Sequence, residues 1–179
     1  MENTWDIITY LIDGCAISLL LFLIASVYMP GLKNIRPAYL RIANTTFALI
    51  GLVPLGILIY FYTALTTAIF DNDVFAFLFG SAPFILTGVL LLGIVPILAV
   101  FRKRNTSIWF TCLLTVSVWA FTHANAVAEW IIWLILRETP SHPESEGPMV
   151  KWYRIAFALL FFLLCYWFAR RKVNRAAQS

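Results

Sequence analysis

The stretch TVSVWAFTHANAVAEWIIWLIL, residues 115–136, decides how this chain folds. It is apolar enough to cross a bilayer, yet it holds Thr122, His123, Asn125 and Glu129 within eight positions. A spanning helix needs about 20 largely apolar residues at about 1.5 Å each. Extended toward its N-terminal side, the stretch belongs to an apolar run over 107–136. That is longer than a bilayer requires, so a single helix there must tilt or project outward. At helical spacing Thr111, Thr115, Val118, Thr122, Asn125 and Glu129 form one stripe. Ser117, Ala120, Ala124 and Ala128 form a neighbouring stripe of small residues, a candidate helix-packing face. Small residues let helices approach closely, and Thr or Asn can hydrogen-bond across the contact. This run therefore reads as a central packing helix.

The rest of the chain has the same character. Of 179 residues 61% are hydrophobic and 12% charged, and the mean hydropathy is +0.84. Soluble domains are usually about half apolar and about a quarter charged. The composition is that of an integral membrane protein. Five apolar runs qualify as spans, at about 7–29, 42–69, 75–100, 107–136 and 153–169. The breaks, PGLKNIRPAYLR, FDNDV, FRKRNT and RETPSHPESEGPMVK, are charged or proline-bearing. None is large enough for a soluble domain, so residues 1–179 read as a single transmembrane domain. Unsatisfied backbone groups are costly in lipid, which calls for closed helices. The predicted fold is all-α, a polytopic transmembrane helical bundle. The start, MENTWD, is acidic and lacks the basic region of a signal peptide, so the first run is read as a retained helix.

Charge sets the orientation. Lys33, Arg36, Arg41, Arg102, Lys103, Arg104, Arg170, Arg171, Lys172 and Arg175 fall on one side if there are five spans. Glu2, Asp6, Asp71, Asp73, Glu138, Glu144 and Glu146 fall on the other. Basic loops stay in the cytoplasm, which places the N-terminus outside and the C-terminus inside. The terminal RRKVNR reads as a stop-transfer cluster that also meets anionic lipid. Basic residues that flank spans are not a nucleic-acid signal. Trp5, Tyr10, Tyr28, Trp109, Trp130, Trp133, Trp152, Tyr153 and Trp167 lie near span ends, as interfacial belts require.

Asp13 lies two turns into the first run, and Arg154 opens the fifth from the outer side. With Thr122, His123, Asn125 and Glu129 they make a candidate intramembrane polar site in the outer half, which Thr63, Thr66 and Thr67 could join. An ionisable group in a membrane is costly and usually has a partner. For Asp13 or Glu129 that partner is Arg154 or His123. Such a site is either a proton relay or substrate cavity, or a set of interhelical hydrogen bonds with groups reaching to the outer interface. Pro54, Pro83 and Pro96 read as kinks in packing helices. Cys15, Cys112 and Cys165 are widely spaced and read as free thiols. No zinc spacing, catalytic motif or phosphate-binding loop is present. Haem ligation would need histidines at membrane depth, where His123 stands alone, since His142 falls in a Pro-rich loop. No cofactor and no metal are expected, and the reading leans away from an enzyme.

Three short stretches, in order, carry a family likeness. They are IGLVPL at 50–55, SAPF at 81–84 and RNTSIWFTCLL at 104–114. Over the second to fifth runs the chain resembles the membrane immunity proteins against pore-forming colicins of the A and B type. The family's counterparts are Ile-Gly-x-x-Pro-Leu, Thr-Ala-Pro at the outer start of the next helix, and a cytoplasmic Arg-Asn-Thr followed by Ser-Cys-Leu-Leu. The basic C-terminal tail also fits. The first run is additional, the outer loop after the second is shorter, and FTHANAVAEW has no clear counterpart in the family. The resemblance implies a non-enzymatic protein that binds a partner's hydrophobic helices within the inner membrane.

Two function classes therefore stand. One is a multi-pass protein of the bacterial inner membrane that acts by helix–helix association with a partner membrane protein. It would be immunity-like, or an accessory subunit of a membrane complex. The other is a small transporter or proton-coupled carrier using the outer-half polar site. Expected partners are the lipid bilayer and a membrane protein or a second copy of the chain, with no nucleic acid.

Overall fold

The computed structural model describes residues 2–68, 73–100, 105–136 and 148–176. Arg102, Lys103, Arg104, Asp71, Glu138, Glu144, Glu146 and His142 lie outside them. The described residues are helical, with no strand among them. Four helices are long and apolar enough to cross a membrane, and a bent pair would make a fifth crossing.

The first helix, α1, spans Glu2–Tyr28, and α2 spans Pro30–Ala68. Met29 alone separates them, and its carbonyl accepts the N–H groups of Leu32 and Lys33. The predicted break PGLKNIRPAYLR is thus not a loop but the first turns of α2. Pro30 can open a helix because its missing N–H would have no partner there. Pro37, further in, costs about 3 kcal/mol. Tyr39 and Leu40, fully buried beside it, return about 1.5–3 kcal/mol each by burial. The Tyr39 ring stacks on Phe22 with centroids 3.6 Å apart, and both rings meet Phe162. At 39 residues α2 is about 58 Å long, nearly twice a hydrocarbon core, so one end must project beyond it.

The third helix, α3 (Asp73–Gly88), continues into a wide π segment at Val89–Ile94, then α4 (Val95–Ile97) and a tight 3-10 turn at Leu98–Val100. The widened turn comes just before Pro96, whose ring would otherwise press on the carbonyl of Leu92. Pro54 and Pro83 lie inside α2 and α3, each assigned as one helix.

The run at 107–136 departs most from expectation. It forms α5 (Ile108–Thr122) and α6 (Ala124–Leu136), bent by 90° at His123. The predicted single long helix, tilted or projecting, is replaced by two short ones. No proline makes this break. His123 leaves the helical region at φ −108°, ψ 31°. Just before it, the Thr122 hydroxyl donates back to the carbonyls of Val118 and Trp119. Such back-bonding weakens the backbone ladder and bends helices. His123 keeps its own backbone bonds, N–H to Trp119 and carbonyl to Val127. The last helix, α7 (Pro148–Ala176), starts and ends beyond the predicted 153–169, carrying Arg170–Arg175 on its final turns.

Side-chain contacts give the helix directions. Asp13 meets Arg154 and Phe22 meets Phe162, so α1 and α7 run parallel. Ser18 lies 3.5 Å from the Tyr39 hydroxyl across the α1–α2 hairpin. Asn44 meets Thr111 and Gly51 faces Val118, so α2 and α5 run together. Tyr62 meets Ser81 and Leu58 meets Gly88, so α3 runs against α2. Half of α1's apolar span is buried, more than in the other long apolar helices, and α5 buries more than half of its residues.

Candidate functional site

Asp13 sits on α1 beside Gly14. Its Oδ2 lies 2.8 Å from Arg154 Nε on α7, and its Oδ1 lies 2.7 Å from His123 Nε2 at the α5–α6 break. The tautomer that fits an ionised carboxylate carries its proton on Nε2 and donates it to Oδ1. One buried carboxylate, 7% exposed at its side chain, thus ties together three helices distant in sequence. Around this cluster, the Arg154 guanidinium lies over Tyr10 at 5.4 Å, and Trp119 packs on the His123 ring at 4.9 Å. Cation–π contact and ion pairing gain strength where water is scarce.

What lets α7 come so close is Gly14. A Cβ there would stand 2.7 Å from Phe157 Cβ and 2.9 Å from both Ala158 N and Arg154 O. Only hydrogen fits in that space, and the same crossing brings Arg154 onto Asp13.

An open groove of about 490 Å³ runs past the cluster between α1 and α5, lined by Asp13, Thr115, Trp119, His123 and Arg154 among others. The Thr115 hydroxyl in its wall is buried and has no hydrogen-bond partner among the described residues. Buried hydroxyls ordinarily have one, so this one marks a place for water or a polar guest. His123 also borders a second groove of about 520 Å³, with Phe84, Phe121 and Asn125. The histidine is the wall between the two.

The other predicted site residues are placed differently. Thr122 is buried, with its hydroxyl committed to its own helix. Asn125 and Glu129 are exposed on α6, beyond the bend and apart from the Asp13 cluster. Thr63, Thr66 and Thr67 donate to carbonyls of their own helix. The small stripe is divided by the same bend: Ser117 is buried, Ala120 and Ala124 are half-buried and Ala128 is exposed. Of the aromatic belt residues, Tyr28, Trp109, Trp130, Trp152, Tyr153 and Trp167 are exposed. Among the described residues no three His, Cys, Asp or Glu side chains gather to hold a metal ion.

At the opposite end lies a neutral polar hub that the sequence reading missed. Asn44 Nδ2 donates to Thr111 Oγ1 and to the Asn105 carbonyl, both at 2.8 Å. Asn105 Nδ2 donates to Thr45 Oγ1 at 2.8 Å and to the Arg41 carbonyl at 3.3 Å. This fixes the start of α5 against α2. The signal was available as Asn44 inside an apolar run and Asn105 at its edge.

Comparison with protein-family models, with curated proteins and with solved structures finds no match for the chain. Its function is therefore argued from its own chemistry.

Proposed function

We propose that the chain is a multi-pass protein of a bacterial inner membrane. It crosses five times, N-terminus outside and C-terminus in the cytoplasm, and works by associating with a membrane-protein partner. The alternating helix directions and the basic residues of α2 and α7 at one end support that topology. The observation that carries the association reading is α6. It turns 90° away from α5 and leaves Asn125, Ala128 and Glu129 exposed on an otherwise apolar helix. Small and polar residues together are what close helix contacts in lipid use. Asp13, by contrast, already has both oxygens committed within its own chain. An immunity-like protein or an accessory subunit fits this division of labour, with the Asp13 cluster as scaffold and α6 as the contacting element.

The test is a photo-crosslinking amino acid at position 128 in living cells, with Leu163, exposed on α7, as the lipid-facing control. Position 128 is expected to give a discrete protein adduct, reduced by Ala124→Leu, and position 163 none. Two differently tagged copies of the chain tell a self-adduct from one with another protein. Absence of any protein adduct from both 125 and 128 overturns the reading.

The carrier reading is favoured by one observation, the open groove beside Asp13 with its unpartnered Thr115 hydroxyl. It requires proton-coupled flux into proteoliposomes that Asp13→Asn abolishes without loss of folded protein. Flux that survives that substitution removes this alternative.

A further inference from the structure

A third groove, at the basic end, is used by neither reading. It lies between α2 and α7, encloses about 620 Å³, and is lined by Ile42, Thr46, Phe168, Arg171, Lys172 and Arg175. Lys172 also lines an adjoining groove of about 250 Å³ with Pro37, Ala38 and Arg41. The two grooves therefore share one cationic side chain. Their chemistry is divided: Ile42 and Phe168 are apolar, Thr46 offers a hydroxyl, and the rest of the polar lining is cationic.

Among the described residues that positive charge has no acidic counterpart beside it. Asp6, Asp13 and Glu129 belong to the other end, at the start of α1 and on α6. No ion pair to Arg171, Lys172 or Arg175 forms among the described residues. Arg171 is held instead over the Trp167 ring at 5.4 Å, which orients a guanidinium without neutralising it. Arg41 supplies an independent sign. Its Nε is buried and has no hydrogen-bond partner among the described residues. A buried N–H of a charged group is costly to leave unmade, so a site with an acceptor to offer is favoured there.

We propose that this groove binds the phosphate headgroup of an anionic phospholipid. Arg171, Lys172 and Arg175 meet the phosphate oxygens, and Thr46 donates to one of them. Arg41 and Lys172 bind a second phosphate or the glycerol, and the acyl chain lies along Ile42 and Phe168. Arg171 and Arg175 are one turn apart, so they reach the same headgroup from one helix face. Basic pockets between helices at the cytoplasmic face suit such headgroups. The assignment to the inner leaflet rests on the proposed orientation, whereas the binding does not.

The experiment is native mass spectrometry of the detergent-solubilised full chain with added phosphatidylglycerol, cardiolipin, phosphatidylcholine or inorganic phosphate. Retention of phosphatidylglycerol or cardiolipin, and little phosphatidylcholine, is expected. Each groove cation removed should weaken binding about fivefold, so Arg171→Gln with Arg175→Gln should weaken it roughly 25-fold. Arg41→Gln should act more on cardiolipin, with two phosphates, than on phosphatidylglycerol. Lys33→Gln, a cation that lines neither groove, should change nothing. Equal retention of phosphatidylcholine, or equal loss with Lys33→Gln, overturns the site. Binding of inorganic phosphate as strong as that of the lipid overturns the acyl-chain part and reduces the site to a phosphate site. Orientation is tested separately by terminal reporters, so its failure would not be mistaken for failure of binding.

Discussion

Gly14→Ala is the sharpest perturbation of this bundle. The added Cβ would lie 2.7 Å from Phe157 Cβ and 2.9 Å from two backbone atoms of α7. Carbon atoms in contact prefer about 3.5–4.0 Å, so α1 and α7 must separate by roughly 1 Å. No flexible side-chain tip is available to move instead. One obstructing atom is the carbonyl oxygen of Arg154, so the displacement acts directly on the partner of Asp13. Lengthening the 2.8 Å ion pair by roughly 1 Å weakens its attraction. Overpacking costs about 1–3 kcal/mol and weakening of the buried ion pair about 1–3 kcal/mol, against a gain of about 1 kcal/mol in helix propensity. The net loss is about 1–5 kcal/mol, centred near 3 kcal/mol. At about 2–4 °C per kcal/mol for a chain of this size, the midpoint should fall by around 10 °C. Melting followed by fluorescence-detected size exclusion in mild detergent reads this directly. Gly56→Ala, where a Cβ would meet nothing within 4 Å, should melt at or slightly above wild type. In Asp13→Asn/Gly14→Ala the combined loss should be smaller than the sum of the two single losses, because both act through the Arg154 contact. Melting of Gly14→Ala at or above wild type would refute the close crossing.

Arg154→Gln leaves a buried carboxylate with one partner, an expected loss of about 3–5 kcal/mol, while Arg154→Lys should recover part of the lost midpoint. His123→Gln keeps a donor for Asp13 and should melt close to wild type. His123→Leu should lose about 1.5–3 kcal/mol, and equal midpoints for the two would remove the hydrogen bond from the account. Asn44→Ala deletes two buried donor contacts, with an expected loss of about 1–3 kcal/mol and a midpoint several degrees lower. A fluorescent protein fused after Ser179 should be bright and alkaline phosphatase there inactive. The reverse pattern rejects the proposed orientation.

The helical, membrane-suited character of the chain was legible because apolar runs of this length have few alternatives in lipid. The convergence of Asp13, His123 and Arg154 was legible for a related reason. Few ionisable groups lie deep within the apolar runs, and each such charge needs a partner. The bend at His123 was not legible, because no proline or glycine marks it. It depends on Thr122 turning back on its own helix and on Asp13 holding the histidine ring, a contact 110 residues away in sequence. Periodicity assumes a continuous helix, so the Ala120–Ala124–Ala128 stripe carried that assumption across the break. PGLKNIRPAYLR misled in the opposite sense. Two prolines and three cations suggested a loop, yet burial of Tyr39 and Leu40 outweighed the local preference. Gly14 in a helix looks like a weakness until Phe157 and Ala158 stand opposite it.

The Asp13–Arg154 contact joins the first helix to the last, and that has a consequence for biogenesis. While the chain is being made, α1 enters the membrane with a carboxylate that has no cation to meet. His123 can reach it only after α5 is synthesised, and Arg154 only after about 140 further residues have been added. A chain that ends before α7 lacks the cation that meets Asp13 across the Gly14 crossing. The ion pair that closes the bundle can therefore form only after the last helix has been made.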